Sequence, residues 1–400
     1  MHGMIESLFR VEWRPLAELA AVADEWRALA GRALEPNVFY EPTFALAAQP
    51  VFGRDVGAGL VWSRSSEPRL LGLFPARIER RRYGVTLPVL AGWIHPYGPL
   101  GAPLVDRELG EPVIAAWFDH LSSHPQLPSR VLIPYFPLEG PLARALDAVV
   151  ARRRGRSVSF ARHARALLAP AGARADEPGS GRVSLASAAR EDYLDQAVGR
   201  RKRKELRRQR KRLADGGLVM SSSVGEASAI APALDDFLAL EASGWKGRAG
   251  TAARAHADVR TFMRAAVIGL AGEGKARIDR LLVDARAIAA IVVLQSDTTA
   301  WCWKVAYDES FARFSPGFQL LLDVTEGLLA DPAVARADSC ATPDHPMINH
   351  VWRERLGLAD RLVRVGPEKS AAFALACALE ASRRAAIAGA KRLRDLLRGK

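Results

Sequence analysis

Cysteine, histidine and long apolar runs are all scarce in this 400-residue sequence. The three cysteines, Cys302, Cys340 and Cys377, are scattered, and no C-x-x-C spacing joins any two of them. Such a set predicts reduced thiols in the cytoplasm, and it argues against a disulfide framework or a zinc site. The longest apolar stretches, such as Ile288–Leu294, have the length of a strand, and Met1–Arg14 has no apolar stretch behind a basic start. We therefore expect a cytoplasmic protein with neither a transmembrane segment nor a signal peptide.

The signature motifs of several enzyme classes are also missing. No G-x-S-x-G sequence is present, so a serine hydrolase would lack its nucleophile elbow. No G-x-G-x-x-G sequence follows a predicted strand, which removes support for a dinucleotide-binding fold. His345 and His350 lie five residues apart beside Asp344, which is not a recognised metal spacing on a helix, so we predict no metal site.

Positive charge is what the sequence has in excess. Its 57 Lys and Arg residues outnumber 44 Asp and Glu residues, which gives a formal net charge of +13 at pH 7. This balance indicates a polyanionic partner, and coenzyme A, tRNA, DNA, an anionic membrane surface and an acidic polysaccharide all satisfy it. Hydrophobic residues make up 49% of the chain and charged residues 25%, as in globular proteins, and the length suits two domains.

Helical and strand patterns alternate along the chain, which predicts an α/β fold with a mixed sheet. The same order of elements occurs twice, so we predict two halves in tandem. The predicted division is an N-terminal half at 1–165, an Ala-, Pro- and Gly-rich linker at 166–182, a C-terminal half at 183–368 and a basic helical tail at 369–400. The elements predicted in the first half are helices at Leu16–Leu29, Glu111–Leu121 and Pro141–Arg152, and strands at Gly57–Trp62, Arg69–Glu79, Arg130–Phe136 and Val158–His163.

The second half is predicted to contain both kinds of element again, followed by the tail. The tail has Leu375, Leu379, Leu393 and Leu396 as its apolar positions, and it either packs on the protein or lies on a membrane surface. The elements predicted in the second half are helices at Ser187–Leu213, Ala227–Ser243, Ala252–Ala271, Pro316–Ala330 and Met347–Leu356, and strands at Arg277–Val283, Ile288–Gln295, Ala300–Tyr307, Ala335–Ala341 and Arg361–Val365.

The most informative segment runs from Trp301 to Leu329. Large side chains alternate with Cys302, Lys304 and Ala306 up to Tyr307, as they do in a strand. A short loop then leads to Ser315-Pro-Gly-Phe318, where serine is a preferred N-cap and proline suits the first helical position. The first N–H groups of such a helix have no internal partners, and glycine lets a ligand approach the backbone. The segment therefore predicts an anion site suited to a pyrophosphate.

These residues, with others before and after them, carry a resemblance to a known family. Residues 180–365 resemble the GNAT superfamily of acyltransferases, and most of all its CelD-type branch, which is linked with cellulose biosynthesis and is similar to the Fem-type aminoacyl transferases. In the pyrophosphate loop, Gly317 matches the family's glycine, while Phe314 stands at its Arg/Gln position and Gln319 at its second small position. The first half matches only loosely. The matching landmarks are Glu241–Gly247, Gly250–Ala252, Trp303-Lys304, Ala306–Asp308, Ser315–Gly317, Asp344 and Trp352.

The resemblance implies two GNAT-like halves, with the cofactor site in the C-terminal one. The strand that ends at Tyr307 would splay from its neighbour, and its backbone at Lys304, Val305, Ala306 and Tyr307 would hold the pantetheine arm of acetyl-CoA or another acyl-CoA. The implied activity is transfer of the acyl group to an amine or hydroxyl, on a small or sugar-linked acceptor, in polysaccharide or cell-envelope biosynthesis. The residues that would hold the pyrophosphate are Ser315, Pro316, Gly317, Phe318 and Gln319.

Candidate side chains for the chemistry are few. Direct attack on a thioester needs only a weak general base, and Glu241, Asp308 and Asp344 are the candidates, although each also suits an N-cap, a turn or a surface ion pair. Lys246 and Lys304 could neutralise the phosphates of the donor. Lys304 is the more unusual of the two because it lies in a predicted strand. Trp245, Lys246 and Trp303 are the candidate substrate contacts, and the two tryptophans suit a core equally well.

The run Arg200–Arg212 holds ten basic residues in thirteen positions, with only Leu206 and Leu213 as apolar anchors around it. It predicts a helix that is either a solvated face or a binding surface for a phosphate-rich partner. Three functions stay open: an acyl-CoA-dependent acyltransferase, a Fem-like transferase that takes its donor from aminoacyl-tRNA, and a catalytically silent adaptor that binds a polyanion. The sequence favours the first of these, and it leaves the acceptor, the acyl chain and the oligomeric state open.

Overall fold

The computed structural model of the protein describes residues 8–170, 193–366 and 371–397. Most of the predicted linker, residues 171–182, lies outside these ranges, as do the first residues of the predicted helix Ser187–Leu213 and both ends of the predicted tail. The strands in chain order are β1 (Phe9–Pro15), β2 (Val56–Ser63), β3 (Leu70–Arg82), β4 (Val85–Gly92), β5 (Leu104–Val105), β6 (Arg130–Pro137), β7 (Arg156–Leu168), β8 (Val219–Val224), β9 (Ala276–Val283), β10 (Arg286–Ser296), β11 (Thr299–Tyr307), β12 (Arg336–Asp338) and β13 (Glu354–Arg364).

The helices alternate with these strands. Short 3-10 helices lie at Leu16–Val22, Val38–Tyr40, Ala253–Ala255, Glu309–Phe314 and Ile348–His350. The α-helices in chain order are α1 (Ala23–Ala30), α2 (Pro42–Phe52), α3 (Gly110–Ser123), α4 (Pro141–Arg152), α5 (Arg200–Ala214), α6 (Ala227–Ser243), α7 (Trp245–Arg248), α8 (Ala257–Gly272), α9 (Pro316–Ala330) and α10 (Ala371–Leu397).

The chain forms two compact units, and each draws on more than one stretch of sequence. The first unit comprises residues 1–40, 53–163 and 357–400, and the second comprises 41–52 and 164–356. Relative to the predicted halves, helix α2 therefore belongs with the second unit, and the end of β13 and the helix α10 belong with the first. Sequence order alone could not indicate this exchange, because it depends on contacts between residues far apart in the chain.

The first unit is built on a mixed sheet. Its strands lie in the order β1, β2, β3, β4, β6, β13, with β5 beside β3. The pair β4 and β6 is parallel at Leu90 opposite Val131, and the other pairs along this order are antiparallel. The connection between the two parallel strands includes α3, as a crossover between parallel strands requires.

The second unit repeats this arrangement with its own strands. Its order is β12, β11, β10, β9, β8, and β11 and β12 are parallel while the others are antiparallel. The run Ala287–Leu294 in β10 is buried throughout, because α6 and α9 both pack against this strand. A strand covered on both faces reads as a continuous apolar run, as this one does. The predicted α/β fold with mixed sheets in two halves is confirmed.

The structure corrects one predicted helix. Met347–Leu356 is not a helix, since a 3-10 turn ends at His350 and β13 begins at Glu354. Ile348, Val351 and Trp352 do have helical spacing, but all three are buried as a plug in the core of the second unit. The Trp352 indole N–H donates to Thr325 Oγ1 at 2.9 Å, which fixes this plug against α9. Among the elements that the sequence did not predict are β1, α2, β4, β5, α7 and β8.

Helix α10 agrees with the packing interpretation of the tail. Phe373 and Ala376 are buried in a cluster with Leu362 and residues of β4 and β6. The buried carboxylate of Glu380 accepts from Arg82 at 2.6 Å and from the Tyr83 hydroxyl at 2.9 Å. Within the described ranges, no helix is long and apolar enough to cross a membrane.

Candidate active site

A cleft of about 630 Å³ lies within the second unit. One wall is the end of β11, and the opposite wall is the segment that follows β12. Residues of α6 and α7 and the start of α9 also line the cleft. The lining residues are Leu240, Glu241, Gly244–Lys246, Cys302–Tyr307, Glu309, Ala312, Ser315–Phe318, Ser339–Thr342 and His345–Met347.

The cleft exists because β11 separates from its parallel neighbour. The pairing with β12 covers only Thr299–Trp301. After Asp338 the chain turns away at Cys340, whose φ of 51° is in the left-handed region that residues other than glycine seldom adopt. The backbone edge of Cys302–Tyr307 consequently faces the cleft instead of a strand. This is the splayed geometry that the resemblance implied for the strand ending at Tyr307.

A buried ion pair supports the turn at Cys340. Asp338 Oδ2 accepts from the Arg165 guanidinium at 2.5 Å, and both side chains are almost fully buried. Asp338 Oδ1 accepts the backbone N–H of Cys340 at 3.0 Å. This carboxylate therefore anchors the wall of the cleft that lies opposite β11. Sequence reasoning missed it, although an aspartate that ends a short apolar strand is an unusual residue.

A β-bulge interrupts β11 at the middle of the cleft. Val292 of β10 pairs with Lys304, and the next residue, Val293, pairs with Cys302, so Trp303 is the extra residue. Its ring packs edge-on against Phe44 at a centroid distance of 5.5 Å. Trp303 is thus mainly a core residue, as one of the two interpretations had it, and it also lines the cleft.

Helix α9 begins at the residue that the sequence indicated. Ser315 is in the left-handed conformation, with φ 51° and ψ 49°, and its side chain makes no capping hydrogen bond. Its carbonyl accepts the N–H groups of Phe318 and Gln319, each at 3.1 Å. Pro316 has no N–H. In the first turn of this described helix, the backbone N–H of Gly317 is therefore the one donor that has no acceptor within the helix. A β-carbon at Gly317 would lie 3.3 Å from the Tyr307 ring, and the absence of that carbon leaves the donor approachable.

Gln319 does not line the cleft. It is 3% exposed, and its Nε2 donates to the carbonyl of Phe314 at 2.7 Å. The two positions where this loop departs from the family pattern are therefore joined by a hydrogen bond from the side chain of Gln319 to the backbone of Phe314. The other four predicted pyrophosphate residues, Ser315, Pro316, Gly317 and Phe318, do line it.

Glu241 and Lys246 form an ion pair in the cleft. Lys246 Nζ donates to Glu241 Oε1 at 2.6 Å, and the backbone N–H of Ala253 donates to Oε2 at 2.9 Å. The carboxylate is 4% exposed, so both of its oxygens are held by donors in a site largely closed to water. Of the three predicted catalytic carboxylates, Glu241 alone lines the cleft.

Lys304 lines the same part of the cleft. The pKa of its ammonium group is lowered to about 8, mainly by burial and also by the positive charge of Lys246, while Glu241 opposes the shift. At neutral pH a much larger fraction of Lys304 is therefore uncharged than of a surface lysine, whose pKa is near 10.4.

Asp308 and Asp344 lie apart from the lining residues. Asp308 caps the 3-10 helix Glu309–Phe314, accepting from the Ser310 N–H at 2.9 Å, and Arg286 donates to it at 2.5 Å. Partial burial alone would raise the pKa of Asp308, but the hydrogen bonds from Ser310 and the charge of Arg286 lower it. Asp344 is exposed to solvent. Both carboxylates fit the turn and ion-pair interpretations.

Trp245 stands at the mouth of the cleft with 62% of its surface exposed. Glu309 holds the segment in place, since it accepts the Trp245 N–H at 2.8 Å and pairs with Arg248 at 2.7 Å. The hydrogen bond from Arg248 is the main reason that the pKa of Glu309 is lowered. An indole that is exposed yet fixed through its backbone suits contact with a ligand.

His345 is a cleft residue that sequence reasoning considered only as a metal ligand. Its Nδ1 accepts the N–H groups of Met347 at 3.3 Å and Ile348 at 3.4 Å. Burial lowers the pKa of His345, and in the neutral ring the proton is therefore on Nε2. In the sequence, the signal for this capping role is the pair His345-Pro346 immediately before an apolar turn. In the described ranges, no group of three or more His, Cys, Asp or Glu side chains could hold a metal ion.

Helix α5 carries the basic run. Seven of its ten basic residues are exposed, and the other three are half-buried. Arg203 pairs with Asp195, and Arg210 pairs with Asp323 at 3.0 Å. Lys202 Nζ lies 5.7 Å from the centre of the Phe318 ring, beside the start of α9. The exposed residues are Arg200, Arg201, Lys204, Arg207, Arg208, Lys211 and Arg212.

Comparison with known proteins agrees with this geometry. Residues 200–344 match the family model described as the acetyltransferase (GNAT) domain, a region that includes most of the cleft. The fold is similar to the C-terminal domain of a putative lysylphosphatidylglycerol synthetase from Agrobacterium fabrum, at 12% identity and a TM-score of 0.52, over 91% of this chain and 96% of that one. It is also similar to FemX, at 10% identity and a TM-score of 0.53, over 86% and 96% of the two chains. No curated protein sequence matches the chain. At these identities the two structures show the shared fold alone, and the match to the GNAT domain is limited to residues 200–344.

Proposed function

We propose that the protein is an N-acyltransferase that moves an acyl group from acyl-CoA to an amine or hydroxyl. The observation that carries the proposal is the meeting of two features in one cleft. The splayed edge of β11 and the open first turn of α9 both line it, inside the region that matches the GNAT domain. A CelD-like role in polysaccharide or cell-envelope biosynthesis belongs to this proposal.

The donor would lie along the cleft with its pyrophosphate at the start of α9. The Gly317 N–H and the positive end of the helix dipole favour an anion there. The pantetheine arm would follow the backbone of Val305, Ala306 and Tyr307, whose edge lacks a strand partner beyond Trp301. In this pose the thioester lies deeper in the cleft, near the bulge at Trp303.

The reaction is direct transfer between the two substrates. The nucleophile of the acceptor attacks the thioester carbonyl, a carbon–nitrogen bond forms, and the carbon–sulfur bond breaks. Backbone N–H groups at the edge of β11 would stabilise the oxyanion that develops on the carbonyl oxygen. Trp245 at the mouth and Lys246 further inside, where it pairs with Glu241, are placed to contact the acceptor, whose identity the proposal leaves open.

Ligand binding tests the proposal directly. Acetyl-CoA, longer acyl-CoAs and coenzyme A should each raise the melting temperature, with a stabilisation of about 2.7 kcal/mol when the ligand is at 100 times its Kd. Pantetheine, which lacks the pyrophosphate, is the control and should stabilise far less. If none of the coenzyme A compounds binds in calorimetry at millimolar concentration, the proposal is wrong.

The second candidate is a Fem-like transferase with an aminoacyl-tRNA donor. The fold shared with FemX and the basic surface of α5 favour it. A charged tRNA would supply both an ester carbonyl for the cleft and phosphates for α5. Competition separates the two candidates, since aminoacyl-tRNA should displace coenzyme A only if both occupy the cleft. A catalytically silent adaptor would bind a polyanion and turn over neither donor.

We further propose that the exposed basic face of α5 binds a phosphate-rich partner. Like charges four residues apart repel by a few tenths of a kcal/mol per pair, and only Glu205 interrupts the basic run with a carboxylate. A polyanion relieves this repulsion and releases counterions, so binding should weaken steeply with salt. The partner and the small acceptor are then separate ligands.

A further inference from the structure

We propose that the side-chain amine of Lys304 accepts the proton that the acceptor's nucleophile loses during acyl transfer. The inference rests on the proposed acyltransferase function, and it assigns Lys304 to the reacting end of the cleft instead of the donor phosphates. It names a proton acceptor for a site in which the carboxylates are already engaged.

The position of Lys304 along β11 is the first argument. A strand rises about 3.3 Å per residue, so Lys304 lies about 10 Å from Tyr307. The Tyr307 ring is the nearest neighbour of Gly317, where the pyrophosphate would lie. Lys304 is therefore too deep in the cleft to reach that anion, and it stands where a thioester at the far end of the pantetheine arm would be.

The other titratable groups of the cleft are poor proton acceptors. Both oxygens of Glu241 are held by Lys246 and the Ala253 N–H. His345 uses its unprotonated nitrogen to accept two backbone N–H groups. Glu309 is held by Arg248 and the Trp245 N–H at the mouth.

The two thiols of the cleft are no better. Burial raises the pKa of Cys302 to about 12, and burial raises that of Cys340 well above its usual range, so neither supplies a thiolate at neutral pH. The pKa of the Lys304 ammonium group is lowered to about 8, so its deprotonated form, unlike that of the two thiols, is accessible near neutral pH.

The environment of Lys304 explains how an amine can serve as a base. Burial disfavours its ammonium form, and the neighbouring charge of Lys246 does so as well. Lys246 is itself held by Glu241, so the pair supplies a fixed cation beside the base. The bulge at Trp303 interrupts the regular pairing of β11 immediately before Lys304.

The proton balance of the step is complete without another reactant. The nucleophile nitrogen attacks the thioester carbon, and its proton moves to Lys304 Nζ as the carbon–nitrogen bond forms. When the carbon–sulfur bond breaks, the same proton passes from the Lys304 ammonium to the departing thiolate of coenzyme A. The amide and the free thiol leave, and Lys304 is again neutral.

Two variants separate proton transfer from charge. Lys304→Met removes the base, and Lys304→Arg keeps the positive charge but cannot give up its proton at these pH values. With acetyl-CoA as donor and glucosamine, spermidine and glycine as amine probes, both variants should lose about 100- to 10,000-fold in turnover at pH 7.5. The control is Arg54→Met, at an exposed arginine of the first unit, which should keep full turnover.

The pH profile is the second readout. In the wild type, kcat/KM should rise with pH through an inflection near 8, because the base acts when deprotonated. The variants should keep only the rise that belongs to the amine probe. Trimethylamine, which has no N–H and yields no stable amide, should restore part of the turnover of Lys304→Ala. A side-chain NMR titration of labelled lysine, assigned with Lys304→Arg, should give a midpoint near 8 even where no amine probe turns over.

The outcomes distinguish the inference from the proposed function. If the wild type fails to bind coenzyme A, the proposed function fails, whatever Lys304 does. If coenzyme A binds but Lys304→Arg retains turnover, or Lys304→Met loses coenzyme A affinity instead of turnover, Lys304 is an anion-binding residue and the inference is overturned. A titration midpoint above 10 overturns it as well.

Discussion

The two units contain the same arrangement of a strand, a crossover helix and a parallel strand, and they use it differently. In the second unit, β11, α9 and β12 enclose a cleft of about 630 Å³. In the first unit, β4, α3 and β6 border a cavity of only about 40 Å³, lined almost entirely by apolar side chains. The same framework is open in one unit and filled in the other.

The filling of the first unit has identifiable causes. Trp117 of α3 packs between Trp13 and Phe74, and a β-carbon at Gly101 would lie 2.0 Å from the carbonyl oxygen of Pro134. The first turn of α3 contains Glu111, whose carboxylate pairs with Arg152 and occupies the positive end of the helix. In the second unit, the corresponding turn has glycine and no acidic residue. The comparison indicates two differences. Large side chains such as Trp117 fill the space in the first unit, and Glu111 occupies a helix start that in the second unit has no carboxylate.

The largest expected effect is a loss of stability when a large core side chain of the first unit is removed. Trp117 is 1% exposed, so Trp117→Ala should lower the free energy of unfolding by about 3–5 kcal/mol through lost contacts and a new cavity. Trp245→Ala, at the open cleft, should change it by less than about 0.5 kcal/mol because that side chain is mostly exposed. Urea denaturation followed by circular dichroism measures both. Equal losses would mean that the two units are packed alike.

The wall of the open cleft should be nearly as sensitive. Asp338→Asn removes the charge that balances Arg165 in a buried pair, and we expect a loss of about 3 kcal/mol in the same denaturation experiment. Asp344→Asn, a few residues further along and exposed, is the matched control and should leave stability unchanged. It should also leave turnover unchanged, since Asp344 does not line the cleft. A marked loss of turnover in the control would restore Asp344 as a catalytic candidate.

A carboxylate at the start of α9, as at the start of α3, should abolish binding of the acyl-CoA donor. Gly317→Glu places a carboxylate where α3 has Glu111, so coenzyme A affinity should fall at least about 100-fold, or about 2.7 kcal/mol. Gly327→Glu, in the same helix with open space around its β-carbon, should bind normally. Gly317→Ala adds bulk without charge, and it should lose less coenzyme A affinity than Gly317→Glu. If calorimetry gives equal coenzyme A affinities for the wild type and Gly317→Glu, the pyrophosphate does not bind at this turn.

The smallest effect concerns the surface charge that distinguishes the units. Replacing Lys204, Arg208, Lys211 and Arg212 with glutamine should flatten the dependence of log affinity on log salt by about 3, measured with a fluorescent single-stranded RNA. Turnover on a small amine should not change. The control removes the same charge from exposed residues of the first unit and should keep the slope: Arg54, Arg81, Arg144 and Arg162. If both variants flatten the slope equally, the charge of α5 acts without a specific site.

Sequence patterns predicted the elements of both units where the signals are local. Helix α9 begins at Pro316 and ends at Ala330 as predicted, because a proline at the first turn and a regular apolar face are local signals. The helix predicted at Met347–Leu356 was wrong because its apolar spacing serves a buried plug. Helix α2 was missed because it contains Pro50 and has apolar residues around much of its circumference.

The candidate site could be predicted only where its signals are local. Lys304–Tyr307 and Ser315–Phe318 line one cleft, since one strand and the helix that follows it bring them there. The bulge at Trp303, the support from Arg165 and the turn at Cys340 depend on neighbours distant in sequence. No local pattern indicates them, and the same is true of the full pairing of Glu241.

The exchange of segments between the units sets an order for folding during synthesis. The first unit needs residues 8–40 and 371–397 together, so its earlier segment must wait for its later one to be made. The second unit is complete once Leu356 has emerged, and we expect it to fold first although most of it is made later. Until α10 arrives, the apolar surface of Leu87, Leu132 and Leu362 has no cover from Phe373. Newly made chains should therefore depend on chaperones until α10 has left the ribosome.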